Sequence, residues 1–345
     1  MRELGEITVK KKYDIPEWVL SSKEESILSI EERQKYYKKL REYCVERKLV
    51  NTTMGATFIG PRLKKITNSI ARKVCDVWAG GGVKFVTDGI EFIPQGPVIF
   101  ASTHQSVLDG FVWITDCPKH ALVVHGAETS KGLLLAQYNT GLILVTKKKE
   151  NWKSRINSKL DMISALLKGH SFIIFPETTW NLSPNKLHLP INYGFLDVAQ
   201  KTGKPVVPMI MEFTYDTSSA KERITHIHIR YGEPIEVAEY DGLADKLEEF
   251  KEKISTMRWD LIAEKGQYVR SDISNVDYIN YVKGNLRNLE MGKIDINVER
   301  AGIQGAVEDF YQFHHINDVP WDAWGELLQT DEVERLKRIN RVHGI

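Results

Sequence analysis

Short apolar runs, each bounded by glycine, proline or asparagine, set the rhythm of the middle of the chain: Val83 to Thr87, Pro97 to Ala101, Ala121 to Val124, Leu142 to Val145, Phe172 to Phe175 and Val206 to Met211. Runs of that length between turn residues read as buried strands. Between several of them apolar residues recur at helical spacing, as over Ile156 to Leu167 and Tyr193 to Lys201. Strands alternating with helices are what crossover units feeding a parallel sheet produce. The pattern predicts an α/β fold, an open and largely parallel sheet flanked by helices. The segment Thr225-His226-Ile227-His228-Ile229-Arg230-Tyr231 alternates strictly. It predicts a half-exposed edge strand, with two histidines that lack a third metal ligand and read as surface.

The flanks are helical in pattern. From Ser22 to Leu49, Ile27, Ile30, Tyr36, Tyr37, Leu40, Tyr43 and Cys44 recur at helical spacing in charged sequence, predicting one or two surface-packed helices. After the Gly60-Pro61 break, Arg62 to Trp78 places Leu63, Ile66, Ile70, Val74, Val77 and Trp78 on one stripe, with Lys64, Lys65, Arg72 and Lys73 around the rest. Two readings fit this amphipathic helix: a core-docking element with a solvated basic face, or a helix lying on a membrane surface. Gly80-Gly81-Gly82 ends it, since glycine takes the left-handed backbone that a helix C-terminus favours. After Ala238 the pattern is helical and charged, with Trp259, Trp321 and Trp324 as expected anchors. The organisation expected is a helical N-terminal region over residues 1–80, an α/β core over 81–240 and a helical C-terminal extension over 241–345.

Composition narrows the function classes. With 42% hydrophobic and 27% charged residues, a chain of 345 residues can bury a sizeable core. A formal net charge of +1 gives no electrostatic reason to expect nucleic acid. Cys44, Cys75 and Cys117 form no Cys-x-x-Cys pair, which excludes a disulfide framework or cysteine zinc site and suits a reducing cytoplasm. No signal-peptide core or run of about 18 apolar residues is present, so no membrane span is expected. No glycine loop ends in the lysine and serine of a phosphate-cradling motif, which argues against nucleotide binding.

Candidate chemistry gathers at strand ends. The run Pro97 to Ala101 delivers His104 just past a C-terminal strand end, where open parallel sheets bind ligands. Ser106 is a natural helix N-cap, and Asp109 follows in the first turn, near enough for its carboxylate to meet the imidazole. Imidazole is the side chain that changes charge near neutral pH, so His104 is the candidate general base. A carboxylate on its far nitrogen would fix the tautomer and stabilise the imidazolium, which makes Asp109 the candidate orienter. A second strand, Phe172 to Phe175, runs into Pro176-Glu177-Thr178-Thr179-Trp180-Asn181 and again carries polar groups at its end. Glu177 is either a hydrogen-bond acceptor for a substrate hydroxyl or a structural carboxylate tying the strand end to backbone amides. Thr178 and Thr179 offer hydroxyls and backbone donors there.

The order of these blocks resembles the glycerolipid (lysophospholipid) acyltransferase family: a His-x4-Asp pair, then a Phe-Pro-Glu-Gly-Thr type block roughly 70 residues later. Gly141-Leu142-Ile143-Leu144-Val145-Thr146-Lys147, Lys204-Pro205-Val206-Val207-Pro208 and Tyr231-Gly232-Glu233-Pro234-Ile235 are similar to further family blocks. The resemblance runs from about residue 83 to 236 and leaves both flanks uncovered. It implies transfer of a fatty acyl group from an acyl thioester, acyl-CoA or acyl-acyl carrier protein, to a hydroxyl. The base would be His104, oriented by Asp109, and acceptor binding would fall to Lys147, Glu177, Thr178, Thr179 and Trp180. No metal or further cofactor is implied.

Departures from the family pattern concern the acceptor. Thr178 stands where the family has glycine, and Trp180 where an arginine able to grip phosphate bidentately is usual. Lys147 is the one matching basic position. Trp180 adds an aromatic face of the kind that packs on sugars or apolar chains. The expected acceptor is thus a lysophospholipid, glycolipid, sugar or related hydroxylated molecule, with a less cationic pocket than usual. Expected partners are the thioester donor, a carrier protein among the candidates, and a membrane surface touched peripherally from the cytoplasmic side. Two alternatives on the same fold are a non-catalytic lipid- or glycan-binding protein and a thioesterase that uses water as acceptor.

Overall fold

The computed structural model describes residues 15–53, 69, 70, 72, 73, 76, 77, 81–104, 109, 117–126, 141–146, 152–178, 187, 188, 191–216 and 223–265. The candidates Ser106, Lys147, Thr179 and Trp180, most of the helix expected over Arg62 to Trp78, and everything after Lys265 lie outside the described residues.

Helices α1 (Ser22–Ser26) and α2 (Ile30–Glu46) each open on a capping box, in which a serine accepts from the backbone three residues on and a glutamate returns the bond. On α2 the buried stripe is Tyr36, Tyr37, Leu40 and Cys44, as the spacing predicts, whereas Ile27 and Ile30 are exposed. Eight strands follow: β1 (Thr52–Thr53), β2 (Lys84–Asp88), β3 (Ile99–Ser102), β4 (Ala121–Gly126), β5 (Leu142–Val145), β6 (Ser171–Ile174), β7 (Val206–Asp216) and β8 (Arg223–Tyr231). Among them lie α3 (Trp152–Leu167) and α4 (Gly194–Thr202), and α5 (Leu243–Lys265) closes the described chain.

The strands form one sheet in the order β1-β5-β4-β6-β3-β7-β8-β2. β1 with β5 and β7 with β8 are antiparallel; every other neighbouring pair is parallel. The fold is therefore the α/β architecture expected, an open, largely parallel sheet flanked by helices. β8 departs from its expected place. It is an inner strand, because β2 pairs along its outer side from Lys84↔His226 to Asp88↔Arg230. Its His228 is accordingly buried, bonded through Nε2 to Thr214 Oγ1 at 3.2 Å, and desolvation pushes its pKa below the ordinary histidine value. An alternating pattern marks one apolar and one polar face but cannot say whether another strand lies alongside.

Alternate residues of each strand face two apolar layers. One side carries Ile99, Ala101, Phe172, Val206 and Ile210, and on it pack α2, α3, α4 and α5. The other carries Val98, Phe100, Ile173, Val207, Met209 and Met211. The helices before and after the sheet-forming segment thus share its core. α5 contributes Leu247, Phe250, Ile254 and Leu261 at spacings of three, four and seven. Trp259, an expected anchor, falls beside that stripe and is 62% exposed.

Two buried polar knots fix the helical layer. Asp161 on α3 accepts from Arg47 Nη1 (2.6 Å), from the backbone N–H groups of Val50 and Asn51, and from Thr52 Oγ1 (2.7 Å). That satisfies a fully buried carboxylate and places β1 against β5. Lys201, 1% exposed, is held by Glu25 at 2.6 Å and by Asp197, while Tyr37 donates to Gln200 at 3.1 Å. α1 and α2 are thereby pinned to α4. Gly81, with φ +84°, donates to Asp76 O across the expected glycine helix end.

Candidate active site

Strand order creates the crevice. The chain leaves β3 and crosses β6 to reach β4, but leaves β6 and crosses β3 to reach β7. Adjacent parallel strands whose connections diverge in this way leave a cleft at their carboxyl ends, the switch point where open α/β sheets bind ligands. His104 follows β3 and Glu177 follows β6.

Three contacts fix His104. Its Nδ1 lies 2.9 Å from Asp109 Oδ2, with the aspartate fully buried and the imidazole one-fifth exposed. An ionised carboxylate there can only accept, which assigns the proton to Nδ1 and the basic lone pair to Nε2 by chemistry rather than by position. The ring also stacks on Phe175, centroids 4.3 Å apart and planes inclined by 25°. Third, its backbone N–H donates to Glu177 Oε1 at 2.9 Å. Thr103, the preceding residue, is held to β7 by a bond from its N–H to Met209 O, and its Oγ1 accepts from Met211 N–H. Imidazole position and tilt are both set by the fold.

Glu177, 1% exposed, couples the end of β6 to the end of β3 through this bond. Phe175 to Thr178 form a turn closed by Thr178 N–H to Phe175 O at 2.9 Å. Thr178 sits there at φ 60°, in the left-handed region that glycine occupies freely and a β-branched residue enters at a cost of about 1–2 kcal/mol. The return of this loop is tied back where Asn192 N–H donates to Pro176 O at 3.0 Å.

The structure brings together His104, Asp109, Glu177 and Thr178 among the residues singled out from sequence. It adds Phe175 and Thr103, which spacing did not mark, although Phe175 stands in the very block that drew notice. No group of three or more metal-ligating side chains occurs among the described residues.

An oriented imidazole at the switch crevice of an α/β sheet is the arrangement of a class of sites able to take a proton from a hydroxyl or water. Within that class, residues 84–212 match the family model described as Acyltransferase. A 1-acyl-sn-glycerol-3-phosphate acyltransferase from Cocos nucifera is 26% identical over 187 residues, 53% of this chain and 59% of the relative. The match thus spans about three-fifths of that relative's length. A crystal structure of the 1-acyl-sn-glycerophosphate (LPA) acyltransferase PlsC from Thermotoga maritima superposes with a TM-score of 0.43 at 19% identity, covering 69% of this chain and 86% of that one. The likeness to acyltransferases thus lies in the sheet-forming segment that carries His104, Asp109 and Glu177.

Proposed function

We propose that the chain transfers a fatty acyl group from acyl-CoA or acyl-acyl carrier protein to a hydroxyl of a glycerolipid-like acceptor, with His104 as general base. The observation that carries this is the 2.9 Å bond from His104 Nδ1 to the buried Asp109. Nε2 takes the acceptor hydroxyl proton as its oxygen attacks the thioester carbonyl carbon. The tetrahedral adduct then collapses, the C–S bond breaks, and the thiolate recovers the proton from the imidazolium. Asp109 stabilises that transient cation without leaving its own site. The decisive test is product identification by mass spectrometry with both donors and a panel of phosphorylated and neutral acceptors, on wild type and on His104→Ala. Transfer retained by a folded His104→Ala would end the mechanism, and free fatty acid formed without acceptor would reassign the chain as a thioesterase.

The acceptor is a lysophospholipid, glycolipid or sugar bound with a weaker phosphate grip than that of relatives acting on 1-acylglycerol 3-phosphate. Trp180 in place of an arginine and the side chain at Thr178 in place of a glycine support this reading. Lys147, Thr179 and Trp180 would line the acceptor site. A strong preference for lysophosphatidic acid over neutral acceptors would overturn it.

The same reading includes peripheral membrane contact from the cytoplasmic side. Ile70 and Val77, one heptad apart on helical backbone, are 59% and 73% exposed, with Arg72 and Lys73 exposed beside them. No helix among the described residues is long and apolar enough to cross a membrane. Sedimentation with anionic liposomes tests the contact, and a protein that stays in the supernatant refutes it.

A further inference from the structure

Arg258 lies on α5, 46 residues beyond the segment that matches the family, and is 3% exposed. A buried guanidinium is expensive unless its donors are matched, and this one is matched on two sides. Its Nε donates to Glu212 Oε1 on β7, and its Nη1 donates to Leu187 O at 2.6 Å. Both targets lead to the site. Glu212 is the next residue after Met211, whose N–H reaches Thr103 Oγ1 beside the base. Leu187 belongs to the chain returning from the Glu177 turn, which is tied back onto Pro176 by Asn192.

We infer that Arg258 is a positioning residue for acyl transfer: its fork sets the distance between the His104 arm, reached through Glu212 and β7, and the Glu177–Thr178 arm, reached through Leu187. The inference rests on the acyl-transfer reading above. A planar fork with fixed donor directions suits this bridging, whereas a lysine offers one compact charge and cannot hold both partners at the same geometry. Displacement of either arm separates the acceptor hydroxyl from Nε2, and small misplacements of that kind are costly in rate. α5 is then part of the working site and not an accessory to it.

Two variants separate positioning from folding. Arg258→Lys keeps the charge beside Glu212 and removes the second arm. The double variant Glu212→Leu, Arg258→Met replaces the pair by apolar side chains of similar volume, an exchange that commonly leaves stability intact. Both are expected to lose about 10-fold or more in kcat/KM, with the loss in acceptor KM and kcat and none in donor KM. Hydrogen–deuterium exchange of peptides covering residues 99–104 and 174–178 is expected to quicken in both variants while α3 is unchanged. That readout needs no turnover, so it stands even if wild type transfers no acyl group, in which case the functional reading fails alone. Wild-type kinetics in the double variant, or unaltered exchange at both peptides, overturns the positioning role.

Discussion

Asp109 and Asp161 are both fully buried aspartates, one at the crevice and one in the helical layer, and they face different kinds of partner. Asp161 is surrounded by donors from a single short segment, Arg47 to Thr52, two of them backbone N–H groups that cannot change protonation. Asp109 faces an imidazole that is itself partly open to solvent. Burial alone therefore does not distinguish a structural carboxylate from a functional one. On the mechanism proposed above, the chemistry of the partner does: fixed donors make an anchor, and an imidazole makes a device for moving a proton.

The comparison can be broken at either aspartate. The largest effect is expected at the crevice, where His104→Ala or Asp109→Asn should lower the rate of acyl transfer roughly 10²–10⁴-fold while the circular dichroism spectrum is unchanged. Loss of folded structure in Asp109→Asn would instead place it with Asp161. Asp161→Ala leaves the Arg47 guanidinium buried without its carboxylate and should cost about 3–5 kcal/mol in denaturant unfolding. The surviving folded molecules should turn over normally.

A smaller effect is expected from pH. His228 and His170 are held below the ordinary histidine value of about 6.5, in both cases first by desolvation. Between the folded and unfolded pKa values the unfolded chain binds more protons, so stability rises with pH across that window. Their contribution is complete above about pH 6.5 and is lost as pH falls through the lower folded values. The carboxylates held low, Glu24, Glu32, Glu264 and Asp197, act further into acid. Thermal melts should therefore soften between pH 7 and 5, and His228→Gln should flatten that slope; an unchanged slope would exonerate the buried histidine. The smallest effect belongs to Thr178→Gly, which relieves left-handed strain but loosens the unfolded chain, for a net gain of about 0.5–1 kcal/mol in a melt. An equal or lower melting point would show that the turn is not strained by its threonine.

What could be read in advance follows from how local the signal is. The strand at Leu142 to Val145 and the helix ending at Leu167 are short-range patterns, and both occur where periodicity placed them. His104 and Asp109 are only five residues apart, so their separation in sequence leaves little freedom in their separation in space. β8 was misplaced because its outer neighbour, β2, comes from about 140 residues earlier and leaves no mark on the alternation of His226 to Tyr231. Glu177 was legible as polar but not as the partner of the His104 amide, a bond across 73 residues. The Arg258 fork was illegible for the same reason: an arginine in a charged helix looks solvated until the fold brings Glu212 and Leu187 to it.

The pairing of Tyr37 on α2 with Gln200 on α4 also bears on the order in which the chain can assemble. The two residues are 163 apart, and at roughly 5–20 residues per second a ribosome needs about 8–30 s to make the interval. α2 is complete within the first 46 residues, yet the surface that receives Tyr37, Leu40 and Cys44 comes from α3 and α4. Until both have been made, the face carrying Tyr37, Leu40 and Cys44 lacks part of its native cover, although Trp18 already lies against Tyr36 and Tyr43. A helix made well before the partners that complete its burial is a segment on which a co-translational chaperone would act.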